Sequence, residues 1–364
     1  MEVLIMTREK ILVIQTAFIG DAILTLPMLK RLKEIYPDST IDVVTTPASS
    51  GIFRANPYTY KVYSYDKKGQ ERSFRSLLRF AREIKKEGYT RLYCPHRSFR
   101  SSMLVFLSGV SETYGFSNAS IPQVYKNIIY YNSRHHEVKR NIDLVENGRS
   151  EADWRILPEV VSGSEEKKKV SEFLKNLEPP EDDKNKPALK LAAVAPGSVW
   201  WTKRYPRERF LEIISYLKSR HYLVLLIGGN EDAEYCSGIA SEFKDSVVSA
   251  AGQFSIVGTI ELLRRCSILI SNDSAPTHFG MCADIPVLTI YCSTVADFGF
   301  YPYNTKSTYV SFDDLTCKPC GIHGRRECPV KTFDCAYKLE MKTITGAVDE
   351  IAGGTKTAPQ EQSS

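Results

Sequence analysis

Three stretches of this 364-residue sequence gather residue types that can hold a phosphate-bearing group and move a proton beside it. The first is QTAFIGDAILTLP at residues 15–27, where Gly20 permits a tight turn and Asp21 stands at the start of a helical stretch. An aspartate there has two readings, a helix-capping carboxylate or a general base for an incoming hydroxyl, and spacing alone leaves both open. The second is VAPGSVWWTKRYPRERF at residues 194–210. Gly197 and Ser198 can offer N–H and hydroxyl groups to a phosphate, with the cations Lys203 and Arg204 in reach and Trp200 and Trp201 as stacking or wall residues. The third is SILISNDSAPTHFGMCADIPVLTIY at residues 267–291. There a buried strand ends at Asn272-Asp273-Ser274, and Ala275 and Pro276 open a helix whose first free N–H groups form an anion site. Asp273 suits sugar hydroxyls, Ser274 and Thr277 suit phosphate oxygens, and His278 is balanced between a structural and a ligand-facing role.

These loops need strands that stop abruptly and helices that start at once. Short apolar runs alternate with amphipathic stretches along the chain, which is the pattern of a parallel α/β fold, with ligands at the carboxyl ends of strands. Strands are predicted at residues 11–15, 41–45, 61–65 and 91–94, and again at 189–195, 222–227, 268–271 and 287–291. The chain is too long for one core. The reading is a first domain over residues 1–178, a polar linker at 179–187 within EPPEDDKNKP, and a second domain over 188–336. A last helix at 338–352 is free to pack back on the first domain, and residues 353–364 read as a disordered tail. The G-x-G-x-x-G fingerprint is missing, which argues against a nicotinamide-dependent dehydrogenase.

Composition narrows the class further. With 43% hydrophobic and 25% charged residues the chain is ordinary for a globular protein. No apolar run reaches the roughly 18 residues of a membrane span. The opening MEVLIMTREK lacks a long apolar stretch with a cleavage site, so the expectation is a cytoplasmic protein. The net charge of +5 is small but concentrated: residues 66–100 hold eleven Lys and Arg against four Asp and Glu. Arg72, Arg75, Arg79, Arg82 and Lys86 recur at helical spacing on one face, with Phe74, Leu77, Leu78, Ala81 and Ile84 expected to be buried on the other. A solvated face is the ordinary outcome of such a run. Arg97 and Arg100 on the next loop extend it toward the side of Asp21, and together they suit an acidic headgroup and an anionic membrane surface. Nine cysteines in a reducing compartment do not read as a disulfide framework. Four of them, Cys317, Cys320, Cys328 and Cys335, are spaced C-x2-C-x7-C-x6-C, compatible with a structural Zn or Fe site or with reduced thiols in a loop.

Taken in order, five blocks resemble the ADP-heptose:lipopolysaccharide heptosyltransferases, inverting enzymes of glycosyltransferase family 9. The blocks are IGDAILTLP at 19–27, PHRSFRS at 95–101, APGS with WTKRYP at 195–206, IGGNE at 227–231 and NDSAPTH at 272–278. Within the family, heptosyltransferase II is the nearest type. The resemblance implies a GT-B fold, two Rossmann-like α/β/α domains facing across a cleft. It implies Asp21 as general base, Lys203 and Ser198 neutralising the leaving diphosphate, and Asp273 holding the donor sugar. The helix opening at Ser274 would cradle the diphosphate, Glu231 would bond the ribose, and Arg97 and Arg100 would serve the acceptor. Ala275 replaces the glycine usual after Asp-Ser and keeps its N–H.

The implied reaction moves heptose from ADP-L-glycero-D-manno-heptose to the lipid-linked inner core of lipopolysaccharide at the inner membrane face, with no cofactor needed for catalysis. A branch of the family that heptosylates proteins binds iron through four cysteines. A protein acceptor or another nucleotide sugar is the alternative. A zinc-module nucleic-acid-binding protein is more remote, because it leaves the three anion-type loops unexplained, and no nucleic acid is expected as a partner.

Overall fold

The computed structural model describes residues 8–67, 69–148, 153–177 and 190–353. The chain divides into two compact units, residues 1–161 and 162–364. The proline-rich stretch at 179–187 and nearly all of the tail at 353–364 lie outside the described residues.

In the first unit the order is β1 (Lys10–Gln15), α1 (Ile19–Ile35), β2 (Thr40–Thr45), α2 (Pro47–Arg54), β3 (Lys61–Ser64), α3 (Phe74–Lys86), β4 (Arg91–Cys94), α4 (Phe99–Ser108), β5 (Glu112–Phe116), β6 (Asn127–Ile129) and α5 (Glu137–Val145). The second unit runs α6 (Ser164–Lys175), β7 (Lys190–Ala195), α7 (Arg207–Ser219), β8 (Tyr222–Leu226), α8 (Ala233–Ala240), β9 (Val247–Ser249) and α9 (Ile256–Leu263). It continues through β10 (Ile268–Asn272), α10 (Ala275–Ala283), β11 (Val287–Tyr291), β12 (Thr308–Ser311), α11 (Asp334–Tyr337) and α12 (Met341–Ala352).

Each unit holds one parallel six-stranded sheet, in the orders β3-β2-β1-β4-β5-β6 and β12-β11-β10-β7-β8-β9. The two orders are the same dinucleotide-fold arrangement read in opposite directions. In each, the chain leaves the sheet one way from the first strand and the other way from the fourth, so a crevice opens between β1 and β4 and between β7 and β10. Central strands are buried on both faces, as the apolar runs Ile11–Ile14 and Ile268–Ile270 require. Leu77, Phe80, Ala81 and Ile84 of α3 close one face of the first sheet. Phe210, Ile213, Ile214 and Leu217 of α7 do the same in the second.

Three expectations are corrected here. The unit boundary falls at 161/162 rather than after 178, because α6 packs on α9 of the second unit, with Phe173 edge-on to Phe254 at 5.3 Å between ring centres. Contact with a sheet's covering helices, not the polar composition downstream, decides where α6 belongs. The last helix belongs to the second unit: α12 lies on α7, β11 and β12, with Ile344, Val348 and Ile351 in the second core. Phe74, expected on the buried face of α3, is 58% exposed because it is the first helical residue, ahead of the first full apolar turn; Phe80 takes the core position instead.

Candidate active site

In the first unit, the turn between β1 and α1 is fixed from three sides. Ala17 N–H donates to Gln15 Oε1, Gln15 Nε2 donates to Thr25 Oγ1, and Lys67 Nζ donates to Thr16 O. Thr16 Oγ1 also meets His96 Nδ1 at 2.9 Å, and His96 meets Ser101 Oγ at 2.8 Å, joining the β1 and β4 loops across the crevice. Burial and the nearby Lys67 and Arg97 push the His96 pKa down to about 4, so this ring is neutral near pH 7.

Phe18, not Asp21, holds the capping position of α1; Asp21 is the third helical residue. Its carboxylate hydrogen-bonds the Phe18 and Asp21 backbone N–H groups, which is part of a capping role. Those bonds do not prevail. Burial, and next the negative charge of Glu137, lift the Asp21 pKa to about 7, against a smaller downward pull from Arg97. A carboxyl with that value is half ionised near neutrality and suited to taking a proton from a hydroxyl.

Sequence reasoning missed Glu137. It opens α5, which runs alongside α1: Asn141 Nδ2 donates to Leu24 O at 3.0 Å, and Glu146 pairs with Arg31 further on. That register sets Glu137, one turn before Asn141, level with Asp21, one turn before Leu24. The Glu137 carboxylate pairs with Arg140 at 2.8 Å, both side chains nearly inaccessible. The only trace in the sequence is an acidic residue at a helix start, a common and unspecific pattern.

Arg97 stacks its guanidinium over the Tyr131 ring at 4.2 Å, with Arg140 also over that ring at 4.9 Å. Arg100 is used differently: Nε donates to Tyr65 Oη at 2.6 Å, and its two terminal nitrogens bond the carbonyls of Arg72, Glu71 and Ser73. It therefore braces the entry to α3. Arg72, Arg75, Arg79, Arg82 and Lys86 are exposed, as is Glu83 among them.

In the second unit, Asn272 is wholly buried at the end of β10, accepting from Tyr205 N–H and donating to Pro196 O and Gly197 O. It ties the β10 loop to the β7 loop. Asp273 then receives Thr294 Oγ1 at 2.7 Å and pairs with Lys203 Nζ at 2.6 Å. Ser274, Ala275 and Pro276 remain partly exposed at the first turn of α10, and the Ser274 side chain makes no cap bond; Pro276 has no N–H and the Thr277 N–H bonds Ser274 O, so the turn offers the Ser274 and Ala275 N–H groups. Thr277, by contrast, turns its hydroxyl inward to Asn272 O and Thr289 Oγ1. His278 is 4% exposed, its Nδ1 has no partner among the described residues, and burial lowers its pKa to about 4.

Arg204 Nε donates to Ser198 O at 2.6 Å and sets the Gly197-Ser198 turn. Glu231 is exposed in the short turn Asn230–Asp232. Asp232, unremarked in the sequence, explains two glycines: a Cβ on Gly197 would lie 2.3 Å from its Oδ1, and one on Gly228 would lie 2.6 Å from its Cβ. Trp200 stands parallel to His323, and Trp201 packs on Phe333.

Among the described residues no group of three or more His, Cys, Asp or Glu is arranged to hold a metal ion. Cys335 is buried with the second core, Cys328 packs against that core, and Cys320 Sγ turns to Cys317 O. The four thiols are nonetheless neighbours, close enough that Cys317, Cys320 and Cys328 all act electrostatically on Cys335.

Two nucleotide-type folds, each with polar groups at its strand-order reversal, are a framework that nucleotide-sugar-dependent transferases share with other enzymes. A family profile, Glycosyltransferase family 9 (heptosyltransferase), matches residues 77–331. The chain belongs to that family and is a glycosyltransferase. It is similar to lipooligosaccharide heptosyltransferase 2 of Campylobacter jejuni, 20% identical over 355 residues, which are 94% of this chain and 99% of that one. Among solved structures, a family 9 glycosyltransferase from Veillonella parvula superposes with TM-score 0.82 at 22% identity, covering 95% and 98% of the two chains. The ADP-heptose LPS heptosyltransferase II of E. coli gives TM-score 0.73 at 17% identity over 96% and 100%. The fold is thus GT-B, and no helix among the described residues is long and apolar enough to cross a membrane.

The raised Asp21 value carries a stability sign. Its folded pKa lies above the unfolded one, so ionisation costs the native state stability as pH rises from about 4 to 7, and the cost persists above 7. Asp21→Asn is therefore expected to melt higher than the parent at pH 8, with the gap closing near pH 4, as read by thermal denaturation across pH.

Proposed function

We propose that this protein transfers heptose from ADP-L-glycero-D-manno-heptose to the inner core of lipopolysaccharide by a single inverting displacement. The observation that carries the reading is the Lys203–Asp273 pair, set at the strand-order reversal beside the open first turn of α10. Cleaving the bond between the anomeric carbon and the diphosphate builds negative charge on the leaving oxygens. Lys203 and the N–H groups at Ser274 and Ala275 supply positive potential there, and the Gly197-Ser198 turn adds donors. As the diphosphate takes Lys203, Asp273 is released to accept from sugar hydroxyls. Glu231, over Gly229, is the ribose partner, and neutral His278 supports the sugar side.

Asp21 takes the proton of the acceptor hydroxyl as that oxygen attacks, so one carboxylate suffices for inversion. Arg97, held on Tyr131, supplies charge for an acidic acceptor, and Arg100 acts indirectly by fixing the α3 entry. No step requires a metal, because the groups that neutralise the diphosphate are the chain's own. The names of the relatives, heptosyltransferase 2 and II, favour this donor and acceptor over a protein acceptor or another nucleotide sugar.

The acceptor is lipid-linked, and the first unit offers a surface suited to its membrane. Arg72, Arg75, Arg79 and Arg82 are exposed beside Phe74 and Phe99, which head neighbouring helices joined by Arg100. Cations with exposed aromatic rings suit an anionic bilayer surface at the cytoplasmic face.

Mass spectrometry of products from ADP-heptose and defined truncated core acceptors tests the reaction; transfer from another nucleotide sugar alone would overturn it. Lys203→Ala should lower kcat by about 10²–10³. Glu137→Gln removes a charge that raises the Asp21 pKa, so the acid limb of kcat/KM, near pH 7 in the parent, should move to lower pH. Cosedimentation with anionic vesicles should weaken on Arg75→Glu with Arg79→Glu and be absent with zwitterionic ones.

A further inference from the structure

The four-cysteine segment, where no metal-holding group is found among the described residues, is tied by hydrogen bonds to the rest of the second unit. It meets each of the three residues that precede Lys203. His323 lies parallel to Trp200 with 6.3 Å between ring centres, and Phe333 packs on Trp201 at 4.8 Å. The contact with Thr202 is the closest. Thr202 N–H donates to Arg325 O at 3.1 Å, and Arg325 N–H donates to Thr202 Oγ1 at 2.7 Å. The same hydroxyl donates to Arg325 O and accepts from Ser293 Oγ at 2.9 Å, so its donor and both acceptor sites are engaged. Thr202 is 1% exposed, and bonds of this kind are costly to leave unmade.

The segment is itself secured. Cys320 N–H donates to Ser293 O at 2.8 Å, closing a ring through Ser293 back to Thr202. Arg325 Nε donates to Cys320 O, and the buried Lys318 ammonium bonds Tyr291 O, Ser311 Oγ and Phe312 O at the ends of β11 and β12. Gly324 has φ +79, and a Cβ there would stand 3.0 Å from Thr202 Oγ1, 3.2 Å from Lys203 Cγ and 3.2 Å from Ser293 Oγ. The strap's backbone therefore lies against the stem of the Lys203 side chain, and a side chain at Gly324 would displace it.

We propose that Thr202, clasped by the Gly324-Arg325 turn of the four-cysteine segment, is a positioning residue that sets where the Lys203 ammonium stands. The inference rests on the role given above to Lys203. A side chain with four rotatable bonds holds a charge at one point only if its root is fixed, and errors near 1 Å in a reacting site cost about 10² in rate.

The test is a double-mutant cycle in the full-length protein, with sugar transfer and ADP binding by calorimetry as readouts. Thr202→Val keeps the shape and removes the hydroxyl; it should lower kcat about 10- to 100-fold, and Thr202→Ser should recover most of that loss. In a Lys203→Ala background, Thr202→Val should cost nothing further, because the residue it positions is gone. An undiminished loss in that background, or failure of Thr202→Ser to rescue, overturns the inference. If Thr202→Val does not fold, Gly324→Ala takes its place in the cycle, and an undiminished loss in the Lys203→Ala background again overturns the inference. Full activity of Lys203→Ala alone would instead overturn the role of the lysine.

Discussion

Asn272 is the small constraint on which the second domain's chemistry depends. Its amide has one acceptor and two donor hydrogens, and the acceptor and both donors are spent on the backbone of the neighbouring loop. Added to the pairing of β7 with β10 and to the Lys203–Asp273 bridge, it fixes the β7 loop, which brings Gly197, Ser198 and Lys203, against the β10 loop, which brings Asp273 and the start of α10. A buried side chain that crosses the crevice converts two strand ends into one surface. The first domain uses a looser version: Thr16, His96 and Ser101 join the β1 and β4 loops through hydroxyls and a neutral imidazole.

The two sheets share one topology, and the chemistry divides between them by environment. In the first, desolvation and a level carboxylate on the parallel neighbour α5 make Asp21 reluctant to ionise, which is what a base near neutrality needs. In the second, Asp273 sits against Lys203 and Thr294, in surroundings that compensate its charge. The two aspartates thus stand in contrasting surroundings, and the difference arises from neighbours rather than from residue type.

Much of this was legible in the sequence because it follows from local signals. Buried strands ending in polar loops announced β1, β7 and β10, and the helix starts after them announced α1, α7 and α10. Short or half-exposed elements carried no such signal. β6 and β9 are three residues each, and α4 hides in a polar-looking run because its serines face inward while Phe99 and Phe106 face out. The placement of α6 and α12 depends on which sheet they cover, a long-range fact that composition near residue 180 misreported. Glu137 and Asp232 were invisible for the same reason: each acquires part of its meaning from a residue distant in sequence, Asp21 for the one and Gly197 for the other. The cysteine spacing announced a cluster of thiols but not the backbone bonds by which that segment holds Thr202.

The pairing of Lys203 with Asp273 also bears on how the donor site behaves in a salt-rich medium. A lone, poorly screened ammonium would attract chloride and other abundant small anions, each excluding the intended ligand. Here the cation already has a carboxylate 2.6 Å away, and an intruder gains only the difference between two similar attractions. A ligand with several negative charges and its own hydroxyls to offer Asp273 can compensate both partners at once. In the proposed donor site the ion pair would act as a filter, leaving the commonest ions nothing to neutralise.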